Sequence, residues 1–198
     1  ASKAYSVIHN VPESLNMGDI TKVDEMQLTT DVDIITYGFP CQPFSQAGRQ
    51  QGFDDEKGRG NLFFDALRII NHCKPKIAIA ENVRNLTSDK FKFEFRTVLK
   101  SLKDAGYNNY WKVLDAKNYD LAQHRERVII VSIRTDLDSG VFEFPEPVEL
   151  KKCLNDYLEK TVDEKYYISD EKAKNLIPQL KDKKISNTVR GGLWFNRQ

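Results

Sequence analysis

The sequence predicts an α/β protein with a mostly parallel sheet flanked by helices and an antiparallel hairpin at one edge. Three observations predict it. Apolar runs at Val32–Tyr37 and Lys76–Ala80, each bounded by turn-forming or charged residues, read as buried parallel strands. Between them, Leu62, Phe63, Ala66, Leu67, Ile69 and Ile70 fall on one helical stripe. Tyr110–Ala116 and Val128–Arg134 are separated only by Lys117–Arg127, too short for a crossover helix, so this pair is expected to run antiparallel.

In chain order, Ala1–Asn10 reads as the tail of a helix, running into Val-Pro-Glu. Asn16–Val23 carries a turn signal followed by a short apolar, β-branched stretch. Past the first strand, Gly38, Pro40 and Pro43 disfavour further strand or helix, which places Cys41 on a loop at a strand end. Gln46–Asn61 is rich in glycine and charge without core-facing periodicity, as expected of a functional loop. The helix over Leu62–Cys73 stops at Pro75. A second amphipathic helix is expected over Phe91–Ala105, with Phe91, Phe95, Val98, Leu99 and Leu102 on its apolar stripe and Gly106 as its C-terminal stop. Beyond Pro145-Glu-Pro147 the character changes, and Val148–Glu159 and Ser169–Leu176 read as short polar helices. The expected organisation is an α/β domain over 1–147, a helical and loop connection over 148–186, and the start of a further region over 187–198.

With 198 residues, 40% of them hydrophobic, the chain can bury one core and a small second lobe. No run approaches the ~18 apolar residues of a membrane span, and no secretory signal opens the sequence. Cys41, Cys73 and Cys153 are too widely spaced for a disulfide framework or a zinc site, and His9, His72 and His124 form no ligand pattern. A reducing, cytoplasmic setting with neither metal nor membrane follows as the expectation. The net charge of +1 does not announce a nucleic-acid binder. Arg84–Lys103 holds six Lys/Arg against two Asp/Glu; it suits a phosphate-facing surface, although a solvated helix face is the ordinary explanation.

Three groups of residues carry chemistry. The proline-flanked Cys41 is placed to meet a ligand, whereas Cys73 and Cys153 read as buried structural thiols. Glu81 ends an apolar run at the carboxyl end of a parallel strand, where open α/β sheets bind ligands. Partial desolvation there raises a carboxyl toward the range useful for proton donation; a helix-capping or salt-bridged glutamate is the alternative. In extended chain, Gln123, Arg125 and Arg127 share one face, a pattern suited to a planar, oxygen-rich ligand or phosphate, or to a salt-bridged surface hairpin.

Together, Pro40-Cys-Gln42, Glu81-Asn-Val83 and Gln123-x-Arg-x-Arg127 occur in the order and rough spacing of the C5-cytosine DNA methyltransferases, which the chain resembles from about Tyr5 to Pro147. Gly18-Asp19-Ile20, Gly60-Asn-Leu-Phe-Phe-Asp65 and Lys74-Pro75-Lys76 fill the intervals, and Gly-Phe-Pro-Cys-Gln is similar to the bacterial restriction–modification type. The resemblance implies a Rossmann-like fold that uses S-adenosylmethionine and acts on double-stranded DNA. Cys41 would attack C6 of a flipped-out cytosine, Glu81 would bond its N3/N4 edge, Arg127 would hold O2, and Arg125 would support the Cys41 loop. The Phe39 carbonyl would accept from N4. Asp19, Ile20, Pro40 and Leu62 would line the cofactor site; Gln42, Ser45, Gln46, Arg49 and Gln123 would face DNA. The family's glycine-rich cofactor loop and acidic ribose-binding residue lie outside the matched stretch. So does most of the target-recognition lobe, of which Asn187-Thr-Val-Arg-Gly-Gly192 resembles the beginning. The expectation is a half-complete cofactor site in a fragment, in a sequence with segments omitted, or in a split subunit completed by a second polypeptide. A tRNA cytosine-5 methyltransferase and a non-catalytic DNA- or partner-binding subunit stand as alternatives.

Overall fold

The computed structural model of the chain describes residues 2–40, 62–151, 153–157, 159–167, 169–172 and 174. The expectations for Cys41, Gln42, Ser45, Gln46, Arg49 and the Gln46–Asn61 loop, and those for the stretch from residue 175 onward, lie outside the described residues. The chain forms two compact units: Ala1–Val113 with Arg127–Glu143, and Leu114–Glu126 with Phe144–Gln198.

The first unit holds helices α1 (Ser2–His9), α2 (Leu62–Cys73) and α3 (Lys92–Asp104), and most of a four-stranded sheet. Its strands are β1 (Ile34–Tyr37), β2 (Ile77–Val83), β3 (Tyr107–Asp115) and β4 (Glu126–Arg134), in the spatial order β1-β2-β4-β3. β1 and β2 are parallel, in the register Ile34↔Ile77 to Tyr37↔Ala80. β4 runs antiparallel to β2, with Glu81 opposite Ile129 and Val83 opposite Arg127. Backbone bonds from Thr135 N–H to Gly106 and from Ala116 N–H to Arg125 mark β3–β4 as an antiparallel hairpin, so the mixed sheet carries the expected hairpin at its edge. The strand running against the other three is β4, which lies inside the sheet, with β3 outermost.

Alternation along β2 separates a core face from a more open one. Ala78, Ala80 and Asn82 are buried, while Ile77, Ile79, Glu81 and Val83 alternate with them at intermediate exposure. Val128 and Ile130 of β4 extend the buried face, and Phe63 and Ile70 of α2 and Phe95, Val98 and Leu102 of α3 join them in one core. These are the stripes that the helical spacing predicts, and α2 has the expected limits. Cys73 closes the α2 stripe as a buried thiol, and burial pushes its pKa up. The α2 stop is made by Lys74 in the left-handed region (φ 51°), whose N–H still bonds to the Ile70 carbonyl; Pro75 follows. Gly106, at φ 94°, ends α3 at a position where a side chain would be strained. Tyr107 then opens β3, and its buried hydroxyl donates to the Pro75 carbonyl at 2.8 Å. Burial pushes the Tyr107 pKa up to about 12.

Several expected boundaries shift. β2 continues three residues past Ala80, and β3 starts at Tyr107 instead of Tyr110. The Asn16–Val23 stretch is a turn at Gly18 (φ 81°) followed by a single 3₁₀ turn, Ile20–Lys22. The expected Val148–Glu159 helix is not formed: Val148 makes an isolated parallel bridge with Tyr119, and among the described residues of the stretch only Leu154–Tyr157 is helical, as 3₁₀. Asp120, in the same unit, accepts from the Lys151 N–H and, through its carbonyl, from the Tyr157 hydroxyl, which gives this stretch anchors other than helical bonds. Cys153 is exposed, contrary to the buried role expected for it, because the helix that would have sheltered it is absent. On α3, Lys92, Arg96, Lys100 and Lys103 are exposed, as a solvated face requires. No helix among the described residues is long and apolar enough to cross a membrane.

Leu102 is fully buried and Phe93, on the same helix, is 77% exposed. Leu102→Ala should therefore cost about 2–5 kcal/mol in denaturant unfolding, whereas Phe93→Ala should change stability by less than about 0.5 kcal/mol.

Candidate active site

The parallel register that sets Tyr37 beside Ala80 brings the next residue, Gly38, alongside Glu81. A Cβ on Gly38 would stand 3.3 Å from the Glu81 carbonyl oxygen and 3.8 Å from Oε2, so a residue without a side chain lets the two backbones approach. On the other side of β2, Val83 faces Arg127 and Glu81 faces Ile129, which makes Glu81 and Arg127 diagonal neighbours on one face. Their side chains meet there: Arg127 Nε lies 2.7 Å from Glu81 Oε1. Glu81 is thus a half-exposed, ion-paired carboxylate inside a strand. The alternative read from sequence, a salt-bridged glutamate, describes it better than desolvation at a strand terminus.

Asn82 points to the opposite, buried face at 2% exposure. Its Nδ2 donates to the Phe39 carbonyl at 3.3 Å, and its Oδ1 accepts from the Val83 N–H at 2.8 Å. A buried amide with donor and acceptor both engaged avoids the cost of an unpaired polar group. It also ties the chain after β1 to β2. The Phe39 ring is buried against Phe63, with centroids 5.5 Å apart in an edge-on arrangement. Phe39 and Pro40 therefore lead toward Cys41 from an anchored position. Sequence reasoning treated Asn82 only as part of a motif. The signal available was a polar residue at a position that alternation assigns to the core.

The expected sharing of one face by Gln123, Arg125 and Arg127 does not arise from extended chain, because β4 begins at Glu126. Gln123 N–H bonds to the Leu121 carbonyl at 2.6 Å in a tight turn, and Gln123 and Arg125 are exposed. What organises this turn is Asp115, which sequence reasoning missed. Its carboxylate accepts from the Arg125 N–H (3.0 Å), the Lys117 N–H (3.3 Å) and His124 Nδ1 (2.6 Å), with Lys117 Nζ at 3.5 Å. Burial alone would raise the Asp115 carboxyl, but the Arg125 amide, His124 and the Lys117 amide outweigh it and hold its pKa below the ordinary value. A lone Asp within the expected strand Tyr110–Ala116 was the only hint in the sequence.

The residues expected at the cofactor site are placed as follows. Asp19 caps the 3₁₀ turn Ile20–Lys22, its Oδ1 accepting from the Thr21 N–H (3.1 Å) and hydroxyl (2.9 Å). These bonds hold its carboxyl below the ordinary pKa. Ile20, Pro40 and Leu62 are of intermediate exposure, as suits apolar contacts to a bound ligand, and α2, which Leu62 opens, packs against the turn holding Ile20. An ionised acceptor beside half-exposed apolar groups fits an adenine edge with an exocyclic amine. Among the described residues no group of His, Cys, Asp and Glu side chains is arranged to hold a metal.

Residues 1–194 match the model of a family described as C-5 cytosine-specific DNA methylase. The type II methyltransferase M.HhaI of Haemophilus parahaemolyticus is 38% identical over 176 residues, which is 89% of this chain and 53% of that protein. M2.ScrFI of Lactococcus lactis subsp. cremoris, also a type II methyltransferase, is 40% identical over 156 residues, covering 78% of this chain and 42% of that protein. The chain thus spans about half or less of the length of the curated relatives it matches. Among solved structures, the Entamoeba histolytica methyltransferase EhMeth superposes with a TM-score of 0.63 at 20% identity, over 86% of this chain and 52% of that one. The S. pombe Dnmt2 methyltransferase gives 0.55 at 23% identity, over 84% and 55%. These two likenesses concern the fold.

The lowered Asp115 pKa sets a sign for pH dependence. Its stabilising contribution is complete above the unfolded value of ~3.9, shrinks below that, and is gone once pH has fallen through the folded-state value. Asp115→Asn should melt earlier than the unsubstituted protein at pH 7, and the two melting temperatures should converge as pH is lowered past that window, as read by thermal unfolding.

Proposed function

We propose, from the premise that the chain belongs to the C-5 cytosine-specific DNA methylase family, that it forms the catalytic part of an enzyme transferring a methyl group to C5 of cytosine in double-stranded DNA, within a restriction–modification system. The observation carrying this reading is the Glu81–Arg127 pair, set beside Gly38 where β1 hands over to Phe39, Pro40 and Cys41. A carboxylate and a guanidinium side by side form a polar edge suited to a flat ring bearing ring nitrogen, amine and carbonyl groups.

C5 of cytosine is a poor nucleophile, and the proposed roles address that. The Cys41 thiolate adds to C6, forming a carbon–sulfur bond and pushing electron density to C5. Glu81 bonds the N3/N4 edge and favours protonation at N3 as charge builds there, and Arg127 donates to O2. The Phe39 carbonyl, already held by Asn82, accepts from the exocyclic amine with its second lone pair, which selects cytosine. Arg125 supports the Cys41 loop. When bound, S-adenosylmethionine supplies the methyl group from its sulfonium centre. Asp19 receives the adenine amine, while Ile20, Pro40 and Leu62 provide apolar contacts. The C5 proton then passes to water, its bonding electrons re-form the C5–C6 double bond as the carbon–sulfur bond breaks, N3 returns its proton, and Cys41 leaves as the thiolate. Because C5 and C6 lie inside the duplex stack, the base must be extruded, at a cost on the order of a few kcal/mol. Gln42, Ser45, Gln46, Arg49 and Gln123 are proposed to contact the opened duplex. Residues 1–147 are proposed as the catalytic domain, 148–186 as a connection and 187–198 as the start of the target-reading region.

The test is covalent trapping. Incubated with S-adenosylmethionine and a duplex carrying 5-fluorocytosine, which cannot lose a proton from C5, the full-length protein should form an adduct stable to denaturing electrophoresis. Cys41→Ser should abolish it. Labelled methyl groups arriving in tRNA and not in DNA, or an adduct that persists in Cys41→Ser, would overturn the reading.

A further inference from the structure

Residues 12–33 contain no buried side chain, and the 3₁₀ turns Ile20–Lys22 and Glu25–Gln27 within that stretch have none either. A stretch of this kind gains little from hydrophobic burial, so its position rests on polar anchors. One residue supplies three of them around the two 3₁₀ turns. Arg68, on the second helical turn of α2, donates through Nη2 to the Ile20 carbonyl (3.0 Å) and through Nη1 to the Val23 carbonyl (2.9 Å). Nη1 also pairs with the Glu25 carboxylate. Asp65, one turn back on α2, forms an ion pair with Nη2 at 3.7 Å. Four residues further along, His72 Nε2 lies 3.2 Å from the Leu28 carbonyl. Helix α2 thus grips the stretch at two points one turn apart.

The gripped carbonyl belongs to Ile20, the residue next to Asp19. Both are assigned above to the methyl donor, Asp19 to its adenine amine, and Leu62, assigned to the same ligand, opens the helix that carries Arg68. We propose that Arg68 is a positioning residue for the methyl donor: its planar fork fixes the turn presenting Asp19 and Ile20 relative to Leu62, and so sets donor affinity. This rests on the cofactor reading given above. A lysine could not replace it, since one ammonium cannot span two carbonyls and a carboxylate in that fixed geometry. Displacing a ligand-contacting turn by even an ångström loses affinity without altering the groups that do the chemistry.

The experiment compares the full-length protein with Arg68→Ala and Arg68→Lys by isothermal titration of S-adenosylmethionine, alongside kcat, the KM for donor and the KM for duplex DNA. The dissociation constant and the KM for donor should rise about ten- to hundredfold in Arg68→Ala, with little recovery in Arg68→Lys and little change in kcat at saturating donor. A role confined to folding would instead lower the active fraction, and with it kcat, at unchanged donor affinity; that result overturns the proposal. Should Arg68→Ala fail to fold, Glu25→Gln and Asp65→Asn remove the partners of the guanidinium one at a time. Each should weaken donor binding several-fold, and unchanged binding in both overturns the proposal. The two readings fail separately. A protein that binds donor but methylates no cytosine contradicts the functional reading and leaves the Arg68 comparison valid, whereas normal methylation with donor-tight Arg68→Ala contradicts only the Arg68 role.

Discussion

Strand β2 exchanges hydrogen bonds with a parallel neighbour on one side and an antiparallel one on the other, and the two registers together decide what the site contains. The parallel register carries β1 to its end at Tyr37 opposite Ala80, so Gly38 comes alongside Glu81 just before Phe39 and Pro40. The antiparallel register sets Arg127 diagonal to the same glutamate. Because side chains alternate along a strand, a slip of one residue in either register would send Glu81 into the apolar core and Asn82 out of it. The packing of Ala78, Ala80, Val128 and Ile130 against α2 and α3 opposes such a slip. The hydrophobic core therefore sets the geometry of an ion pair on the opposite face.

Away from the sheet the protein depends on polar anchors. Arg68 holds an unburied stretch through carbonyl acceptors 45 and 48 residues away in sequence. In the second unit, Asp115 gathers two backbone amides and an imidazole around the turn bearing Arg125. Both are charged groups whose partners are largely main-chain atoms. Such bonds are directional and stronger than neutral ones, so they fix where a segment sits as well as that it sits there. Segments that must meet a ligand are poor candidates for burial, and directional anchors suit them.

Most of the first unit was legible in the sequence, for local reasons. The α2 stripe and its stop, the α3 stripe and its glycine, and the β3–β4 hairpin each follow from spacing within a dozen residues. Glu81, Arg127 and the Phe39-Pro40 lead were legible as candidates through motif resemblance. Most of what escaped was non-local, the exception being the Asp115 hub, whose partners lie within ten residues of it. The extension of β2 through Val83 depends on a partner strand more than forty residues later, while the apolar run that signalled the strand ended at Ala80. The Arg68 clamp and the Asp115 hub join residues whose pairing no periodicity reports. The error at Val148–Glu159 has the opposite origin: a polar stretch with adequate helix formers is held by Tyr119 and Asp120 in another conformation.

The central claim is that Glu81 and Arg127 act on cytosine as one unit whose geometry the sheet imposes. A double-mutant cycle on methyl transfer to duplex DNA tests it most directly, using Glu81→Gln, Arg127→Gln and the combined variant in the full-length protein. Residues acting as a unit give strongly non-additive losses. The account predicts that the combined variant falls little below the weaker of the two single variants in kcat/KM. Losses that multiply, each substitution taking its full toll independently of the other, would contradict it.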